Sequence, residues 1–324
     1  MKNDNKIKVA FVVGNFPRVS ETFIINQIAD LKDRGIEVEV FSFRKDFKGN
    51  DIISDRFQEY NMKDIINYLE MPKNYLLRIL LAIPKIILIL FTKPIILIDL
   101  FNFKKYGRNA SSLKLIFWVT PFINKKFDLV HCHFGPVANR YLIVKEILNL
   151  KQKIVTTLYG YDVSRSFREK PSSYYDKLIK QSSNFLVMSN NMKERVVEYG
   201  FPEDRVEVLP VSIDVESYPF NKRSLENDEQ INLISVGNFV EKKGFDDLLK
   251  ALAIVKVKTN KKFKCYIIGD GPLKDEIYDL YSKLNLKNLV EFKGYMKLEN
   301  VIKYFKDMHL FIQPSKTAKD GDME

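Results

Sequence analysis

The sequence predicts an α/β protein made of two doubly wound parallel-sheet domains. Short apolar runs typical of buried strands alternate with helical segments through most of the chain. This alternation breaks in a polar stretch between Val211 and Gln230 and then restarts. The 324 residues, of which 46% are hydrophobic, suffice for two cores. We therefore predict an N-terminal domain over 1–212, a linker over 213–230 and a C-terminal domain over 231–324.

The N-terminal domain is predicted to open with a βαβ unit. A strand over 7–13 turns at Gly14 into a helix that Ser20 can cap, and Glu21 suits the positive end of that helix. Alternating apolar and charged residues predict the second strand over 36–43. A mostly helical stretch follows, and the remaining strands of the domain are then predicted over 127–131, 154–158, 185–188 and 206–209.

The C-terminal domain repeats the alternation of strands and helices. Its strands are predicted over 231–236, 263–268, 289–293 and 309–313, and its helices over 245–257, from 272 onward and over 298–305. The last strand runs into a polar tail with no covering helix, whereas parallel strands normally have both faces covered. We expect this second domain to be incomplete, with sequence missing beyond residue 324.

Charge and cysteine content limit which classes of partner and which cellular compartment fit the sequence. The formal net charge of +11 favours anionic partners, such as a phosphate-bearing small molecule, lipid headgroups or nucleic acid. Cys132 and Cys265 lie in strand-like segments, which predicts buried thiols in a reducing compartment. The first residues lack a long apolar core and a cleavage site, so we expect a cytoplasmic protein.

A strongly apolar segment over 75–103 resembles a membrane span at first sight. Its longest stretch free of charge and proline is 86–92, far short of the roughly 20 residues that cross a bilayer. A helix that covers a domain core and a helix that lies in the membrane interface both fit this pattern. Basic residues within and after the segment make 75–108 a candidate for contact with an anionic membrane surface on the inner face of the plasma membrane.

Candidate site residues of the first domain follow its strands, because ligands of open α/β sheets bind at the carboxyl ends of the strands. Gly14 can admit an anion to backbone N–H groups near a helix start, and it equally fits an ordinary tight turn. His131 and His133 share one side of a strand and Cys132 faces away, so we predict no zinc site there. One histidine of this pair is a candidate for substrate contact.

The segment Tyr159–Asp162 follows the next strand and places a carboxylate between aromatic residues and a glycine. This composition suits recognition of sugar hydroxyls. Alone, the pattern has little specificity.

The second domain offers lysines and glycines at the corresponding places. Lys242 and Lys243 lie on a strand-to-helix turn, where ammonium groups beside helix N–H groups suit a diphosphate, although a solvated surface loop has the same composition. The turn over 269–272 brings backbone close to the expected cleft and starts a helix with a proline, which is mainly a structural signal. Asp320 and Asp322 have the spacing of a metal clamp, but their polar surroundings predict a loop.

Taken in order, these segments resemble the bacterial retaining glycosyltransferases of family four, and in particular those that build exopolysaccharides, capsules and lipopolysaccharide. The resemblance runs over nearly the whole chain, and its specificity comes from six motifs in the right order. These motifs lie at 16–24, 131–135, 160–162, 236–244, 269–272 and 314–324.

The resemblance implies a GT-B fold, in which two Rossmann-like domains face each other across a cleft. It implies a retaining hexosyltransferase that moves a sugar from a nucleotide-diphosphate donor to a hydroxyl of a lipid-linked glycan, without a metal or another cofactor. The first domain would take the acceptor and the second the donor. The implied catalytic residues are His133 and Glu324, the donor contacts are Gly14, Lys243, Gly271 and Glu324, and the acceptor contacts are Glu21, Tyr159 and Asp162.

Three departures from the family pattern keep other functions open. Asn238 stands where the family usually has an arginine, Tyr159 stands where many relatives have a histidine, and the chain ends on Glu324, the first of two family glutamates. An inactive fragment that binds acceptor or membrane is one alternative, and a GT-B sugar-nucleotide epimerase is another. We expect no nucleic acid partner, because the basic residues are scattered and no stacking platform stands out.

Overall fold

The computed structural model describes residues 6–18, 21–45, 53–211, 213, 215–218, 220, 222 and 229–323. The chain divides into two compact units, the first within 1–48 and 56–211 and the second within 49–55 and 212–324. Each unit contains its own parallel sheet, so the predicted class of two α/β domains is confirmed. The predicted linker over 213–230 lies partly outside the described residues, and its limits stay predictions.

The first unit is built on a seven-stranded parallel sheet. Its strands span Lys8–Phe16 (β1), Glu37–Lys45 (β2), Ile66–Tyr68 (β3), Leu129–His133 (β4), Lys153–Thr157 (β5), Asn184–Val187 (β6) and Val206–Val208 (β7). They are ordered β3-β2-β1-β4-β5-β6-β7, which makes β1, β4 and β5 neighbours in the middle of the sheet. Residues 9–13 of β1 are buried throughout, as expected of a central parallel strand that is covered on both faces.

Two features of this sheet differ from the sequence prediction. The first strand does not end at Val13, because Asn15 and Phe16 continue its pairing with β2. The predicted turn at Gly14 is therefore wrong, and Gly14 lies inside β1. Strand β3 interrupts the stretch predicted as mostly helical, and its three residues are too few to show a strand pattern.

Helices surround this sheet and fill the interval between β3 and β4. They span Thr22–Asp33 (α1), Asp55–Glu59 (α2), Tyr75–Thr92 (α3), Ile96–Leu100 (α4), Phe103–Tyr106 (α5), Arg108–Ser111 (α6), Lys114–Val119 (α7), Gly135–Ile147 (α8), Gly160–Val163 (α9), Arg165–Glu169 (α10), Asp176–Gln181 (α11) and Asn190–Glu198 (α12). Asparagine and serine side chains cap α3 and α12: Asn74 accepts from the Leu77 N–H at 3.0 Å and Ser189 from the Met192 N–H at 3.3 Å. One core packs Phe41 and Tyr141 with buried residues of β1, β4, α3 and α7.

The second unit is the smaller one and has a four-stranded parallel sheet. Its strands span Ile231–Val236 (β8), Phe263–Ile268 (β9), Val290–Gly294 (β10) and Leu310–Phe311 (β11). Their order is β10-β9-β8-β11. The helices are Phe245–Lys258 (α13), Lys274–Lys283 (α14) and Leu298–Phe305 (α15). The predicted elements of this unit are all present, and the bounds of β8, β9 and α15 are as predicted.

Candidate functional site

The carboxyl ends of β1, β4 and β5 lie side by side in the first unit. His133 ends β4 and pairs with Thr157, which ends β5. Tyr159 comes two residues later and precedes α9. This edge of the sheet therefore gathers several of the residues that the sequence singled out.

Two histidines stack on one side of β4. The ring centroids of His131 and His133 are 4.3 Å apart, and the ring of Phe11 in β1 lies 5.0 Å from each. The predicted sharing of one strand side is thus confirmed. Burial lowers the pKa of His131 to about 4, and burial together with repulsion from His131 lowers the pKa of His133 well below its usual value. Both rings are neutral near pH 7.

Each histidine is tied to β5 or to the loop after it. His131 Nε2 forms a hydrogen bond with Thr157 Oγ1 at 2.7 Å, and His133 Nδ1 forms one with the Tyr159 hydroxyl at 2.8 Å. His133 has no exposed surface, and its Nε2 has no hydrogen-bond partner among the described residues. His133 thus contacts the Tyr159 hydroxyl from inside the protein.

The Tyr159 ring is fixed by aromatic neighbours as well. Phe23 of α1 lies 5.0 Å from it and Phe134 lies 4.5 Å from it, measured between ring centroids. Burial, followed by the charge of Glu21, raises the pKa of Tyr159, so the phenol keeps its proton at neutral pH. The hydroxyl is therefore a held, uncharged hydrogen-bonding group.

Asp162 joins two helix starts from inside the protein. Its Oδ2 accepts from the Tyr159 N–H at 2.8 Å and its Oδ1 from the Gly135 N–H at 3.1 Å. The side chain has no exposed surface, and burial raises its pKa to about 7, although both backbone hydrogen bonds act the other way. Asp162 therefore positions Tyr159, and its predicted contact with an acceptor stays a prediction.

Gly14 and Glu21 lie at the same end of β1. A Cβ on Gly14 would lie 3.5 Å from Val137 Cγ2, an ordinary contact, so packing alone does not require glycine there. Glu21 is 8% exposed and precedes α1, and its Oε1 accepts from Arg18 Nη1 at 3.1 Å. The predicted cap Ser20 lies outside the described residues.

In the second unit, the turns after β8 and β9 meet backbone to backbone. A Cβ on Gly269 would lie 1.9 Å from the Gly237 carbonyl oxygen, and a Cβ on Gly271 would lie 2.7 Å from the Phe239 nitrogen. The Phe239 N–H donates to the Asp270 carbonyl at 2.9 Å. No side chain fits at either glycine, so the two turns form one closely packed surface.

Lys243 lies beside these turns, just before α13. Its Cδ lies 3.4 Å from where a Cβ on Gly237 would be, so its stem runs along the end of β8. The next residue, Gly244, has φ +64, and a Cβ there would lie 1.9 Å from the Pro314 carbonyl oxygen. The segment after β11 thereby closes against the lysine turn.

Charged side chains near the lysine turn are paired within the unit. Lys242 Nζ lies 3.2 Å from Asp322, and Lys316 Nζ lies 2.6 Å from Asp246. Across the part of the chain that the structure describes, no group of three histidine, cysteine or acidic side chains could hold a metal ion. Glu324, which the resemblance implies as a catalytic and donor-binding residue, lies outside the described residues.

Sequence reasoning did not single out Phe11 or Thr157, which hold the histidine pair. Their roles depend on strand pairing, since Phe11 pairs with His131 and Thr157 with His133. The alternation of β1 could have placed Phe11 on one face, but no local signal gives the register.

Comparison with known proteins adds family models, relatives and solved structures. Residues 20–217 match the model described as Glycosyltransferase Family 4, and residues 218–321 match the one described as Glycosyl transferases group 1. The amylovoran biosynthesis glycosyltransferase AmsK of Erwinia amylovora is 29% identical, over 98% of this chain and 78% of the relative. WcaL of Escherichia coli strain K12, named for colanic acid biosynthesis, is 27% identical over the same shares.

The fold is also similar to that of a solved structure. Alr3699/HepE of Anabaena, in complex with UDP and glucose, has a TM-score of 0.61 at 14% identity and covers 97% of this chain and 76% of its own. This likeness confirms the predicted GT-B fold class with two parallel-sheet domains. The facing cleft and the incomplete second domain stay predictions.

Proposed function

The chain belongs to glycosyltransferase family 4, and from this premise we propose that it moves a sugar from a nucleotide-diphosphate donor to a hydroxyl of a glycan acceptor. We propose further that the anomeric configuration is retained and that the product is a cell-surface polysaccharide. The names of AmsK and WcaL, which refer to amylovoran and colanic acid biosynthesis, support this assignment.

The observation that carries the donor side is Lys243 beside the two closely packed turns after β8 and β9 in the second unit. Gly237, Gly269 and Gly271 let the turns after β8 and β9 and the stem of Lys243 pack closely together, which holds Lys243 at the ends of these strands. Negative charge grows on the diphosphate as the glycosidic bond breaks, and an ammonium group next to backbone N–H groups stabilises that charge. A diphosphate placed here needs no metal. The UDP complex of the similar fold supports a nucleotide donor.

The acceptor side is proposed at the edge formed by β1, β4 and β5. Tyr159 offers a held hydroxyl to the acceptor sugar, and Glu21 offers a carboxylate nearby. His133 and Asp162 are buried behind it, so we propose that they act by orienting Tyr159. Glu324 keeps its proposed part in catalysis and donor binding, and Gly14 its proposed part in donor binding. We propose a lipid-linked acceptor and a cytoplasmic location at the inner face of the plasma membrane.

Calorimetric titration of the full chain with UDP-glucose and related nucleotide sugars tests the donor assignment. We expect Lys243→Ala to weaken donor binding by roughly tenfold, the usual worth of a charge-assisted contact of about 1.5 kcal/mol. Lys258→Ala at the far end of α13 is the charge-matched control and should bind as the parent does. Equal binding by the Lys243 variant and the parent would remove Lys243 from the donor site.

Product analysis separates the proposed reaction from its alternatives. Incubation with nucleotide sugar and a lipid-linked glycan should yield an extended glycan and free nucleoside diphosphate. Conversion of the nucleotide sugar without acceptor would instead indicate an epimerase. Binding of acceptor with no donor binding would indicate an inactive chain.

A further inference from the structure

Helix α3 exposes an apolar face that water does not favour. Half of the thirty large hydrophobic side chains that are exposed in the described part of the chain lie between Tyr75 and Phe103. On α3 itself, Leu76, Leu80 and Phe91 are 77%, 62% and 82% exposed. Contiguous apolar surface of this extent marks a site of interaction in soluble proteins.

The charged residues of α3 lie on the side that faces the domain. Ala82 and Ile89 are buried there, and Arg78 and Lys85 lie on the same side. Arg78 Nη1 donates to the Ser112 carbonyl at 3.2 Å, and the Lys85 ammonium lies 5.5 Å from the Phe117 ring centroid. All residues of α3 are described, and none of its exposed ones carries a charge. This polarity is the reverse of a helix that faces water.

By length and composition, α3 is the one helix among the described residues that could cross a membrane. Its contacts argue against a crossing. A lone spanning helix is surrounded by lipid, whereas α3 packs Ala82 and Ile89 against the same core as β1 and α7. An orientation parallel to the membrane keeps these contacts and places the outer face among acyl chains.

Basic side chains gather next to this helix. We call Arg44, Arg108, Lys114 and Arg140 the basic cluster. The Arg140 guanidinium lies 5.6 Å from the Phe43 ring, the Lys114 ammonium lies 5.5 Å from the Trp118 ring, and these two rings are 5.0 Å apart, all measured to ring centroids. Partial burial, then repulsion from Arg140 and the other arginines of the cluster, lowers the pKa of Lys114.

The basic cluster lacks internal counter-charge. No member of it forms an ion pair with any residue that the structure describes. The wider segment over 75–108 carries six basic residues and one acidic residue, Asp99, whose carboxylate lies 3.8 Å from the Lys105 ammonium. Like charges without an internal counter-charge favour an external anion.

We propose that the outer face of α3 and the basic cluster together form a docking surface for an anionic lipid membrane. The apolar side chains enter the boundary between headgroups and acyl chains, and the basic cluster binds lipid phosphates. A second copy of the chain would cover the apolar face but would bring a second set of the same positive charges. A bilayer with anionic lipid satisfies both features. This proposal does not rest on the transferase reaction.

Vesicle flotation of the full chain tests the proposal. The probes are phosphatidylcholine vesicles with and without about 30% phosphatidylglycerol, an anionic lipid that gives the vesicle a negative surface potential. We expect the parent chain to float with the anionic vesicles. Leu80→Gln/Ile87→Gln/Phe91→Gln should lower the partition coefficient at least about tenfold, because it removes three inserted side chains. The matched control is Ile254→Gln/Val255→Gln/Val257→Gln on α13, whose residues are 53%, 43% and 80% exposed.

A second pair of variants tests the charge component. Arg44→Gln/Lys114→Gln/Arg140→Gln should remove the preference for phosphatidylglycerol, a loss of about a hundredfold for three basic residues near the surface. Lys258→Gln/Lys261→Gln/Lys262→Gln is the charge-matched control and should keep that preference. Circular dichroism and thermal melting of every variant establish that it is folded before its partition is compared.

Several outcomes would overturn the proposal. One is a parent chain that stays unbound to anionic vesicles, and another is unchanged flotation of the α3 variant. A parent dimer that the α3 variant converts to a monomer, with no vesicle binding, would assign the face to a second copy. Binding of inorganic pyrophosphate to the basic cluster without vesicle binding would assign the cluster to a free phosphate.

Discussion

Tyr159 is held at three points at the edge of the larger sheet. Its hydroxyl bonds with His133, its backbone N–H donates to Asp162, and its ring packs on Phe23 and Phe134. A side chain fixed in this way loses little entropy when it meets a substrate. Because these contacts also hold the fold together, we expect a substitution of Tyr159 to lower the free energy of unfolding.

Removal of the Tyr159 hydroxyl should leave the buried His133 ring without its partner. We expect Tyr159→Phe to lower the free energy of unfolding by about 1–3 kcal/mol, the cost of an unpaired buried polar group. Urea denaturation measures the change. Tyr161→Phe is the control, because Tyr161 is 38% exposed, and it should change stability by less than about 0.5 kcal/mol. Equal effects of the two substitutions would contradict the role given to this hydrogen bond.

Asp162 should make stability depend on pH. Burial raises its pKa from the usual 3.8 to about 7, so the folded chain binds a proton that the unfolded chain has released between these values. Its contribution to stability is complete below pH 3.8, is lost as the pH rises toward 7, and is constant above that. Asp162→Asn should therefore destabilise the chain more at pH 4.5 than at pH 7.5, as measured by urea denaturation at both pH values. A destabilisation independent of pH would contradict the raised pKa.

At the residue scale, the sequence identified the candidate site residues better than it predicted how deeply they are buried. Alternation along a strand is a local property, and it placed His131 and His133 on one side. The burial of His133 depends on β4 pairing with β5 and on the loop that carries Tyr159 over it. Such contacts join residues far apart in the chain, and no local pattern encodes them.

At the element scale, strand β1 and the turn after β9 differ in whether packing requires their glycine. Both Gly14 and Gly271 were predicted to contact the donor. Only at Gly271 would a Cβ collide with another backbone, that of Phe239. A glycine in a sequence shows that a side chain is absent, and the structure shows whether packing requires that absence.

This difference gives a direct comparison of two substitutions. Gly271→Ala should lower the free energy of unfolding by about 1–3 kcal/mol, because the backbone of Phe239 must shift. Gly14→Ala should cost less than about 1 kcal/mol, since its Cβ would meet a side-chain methyl group at 3.5 Å. Thermal denaturation of both variants shows which substitution lowers stability more. A larger loss for Gly14→Ala would contradict this account of the two glycines.

Elements with a clear period were predictable, and short or one-sided ones were not. Strands β8 and β9 were located to the residue, because charged or polar positions bound their apolar runs. Strand β3 has three residues and is held by its pairing with β2. The apolar composition of α3 was plain in the sequence, but its exposure depends on which side packs against the domain.

At the scale of the whole molecule, two sheets with separate cores predict two unfolding events. Phe185 belongs to the core of the first unit and Leu249 to that of the second, and both are fully buried. Calorimetry should resolve two transitions. Leu249→Ala should lower the free energy of unfolding of the second unit alone, by about 2–5 kcal/mol. Phe185→Ala should lower that of the first unit alone, by about 3–5 kcal/mol. A single transition whose temperature both variants lower equally would contradict independent cores.

The order of strands in the larger sheet also affects how the chain folds during its synthesis. β1 can pair with β2 as soon as Lys45 leaves the ribosome, but its other edge waits for β4, which starts at Leu129. At ordinary synthesis rates this wait is on the order of ten seconds. An open strand edge and the apolar helix α3 are then exposed on the nascent chain together. Chaperones that bind apolar segments of nascent chains should therefore raise the soluble yield of this protein. We expect them to act chiefly while residues 75–129 emerge from the ribosome.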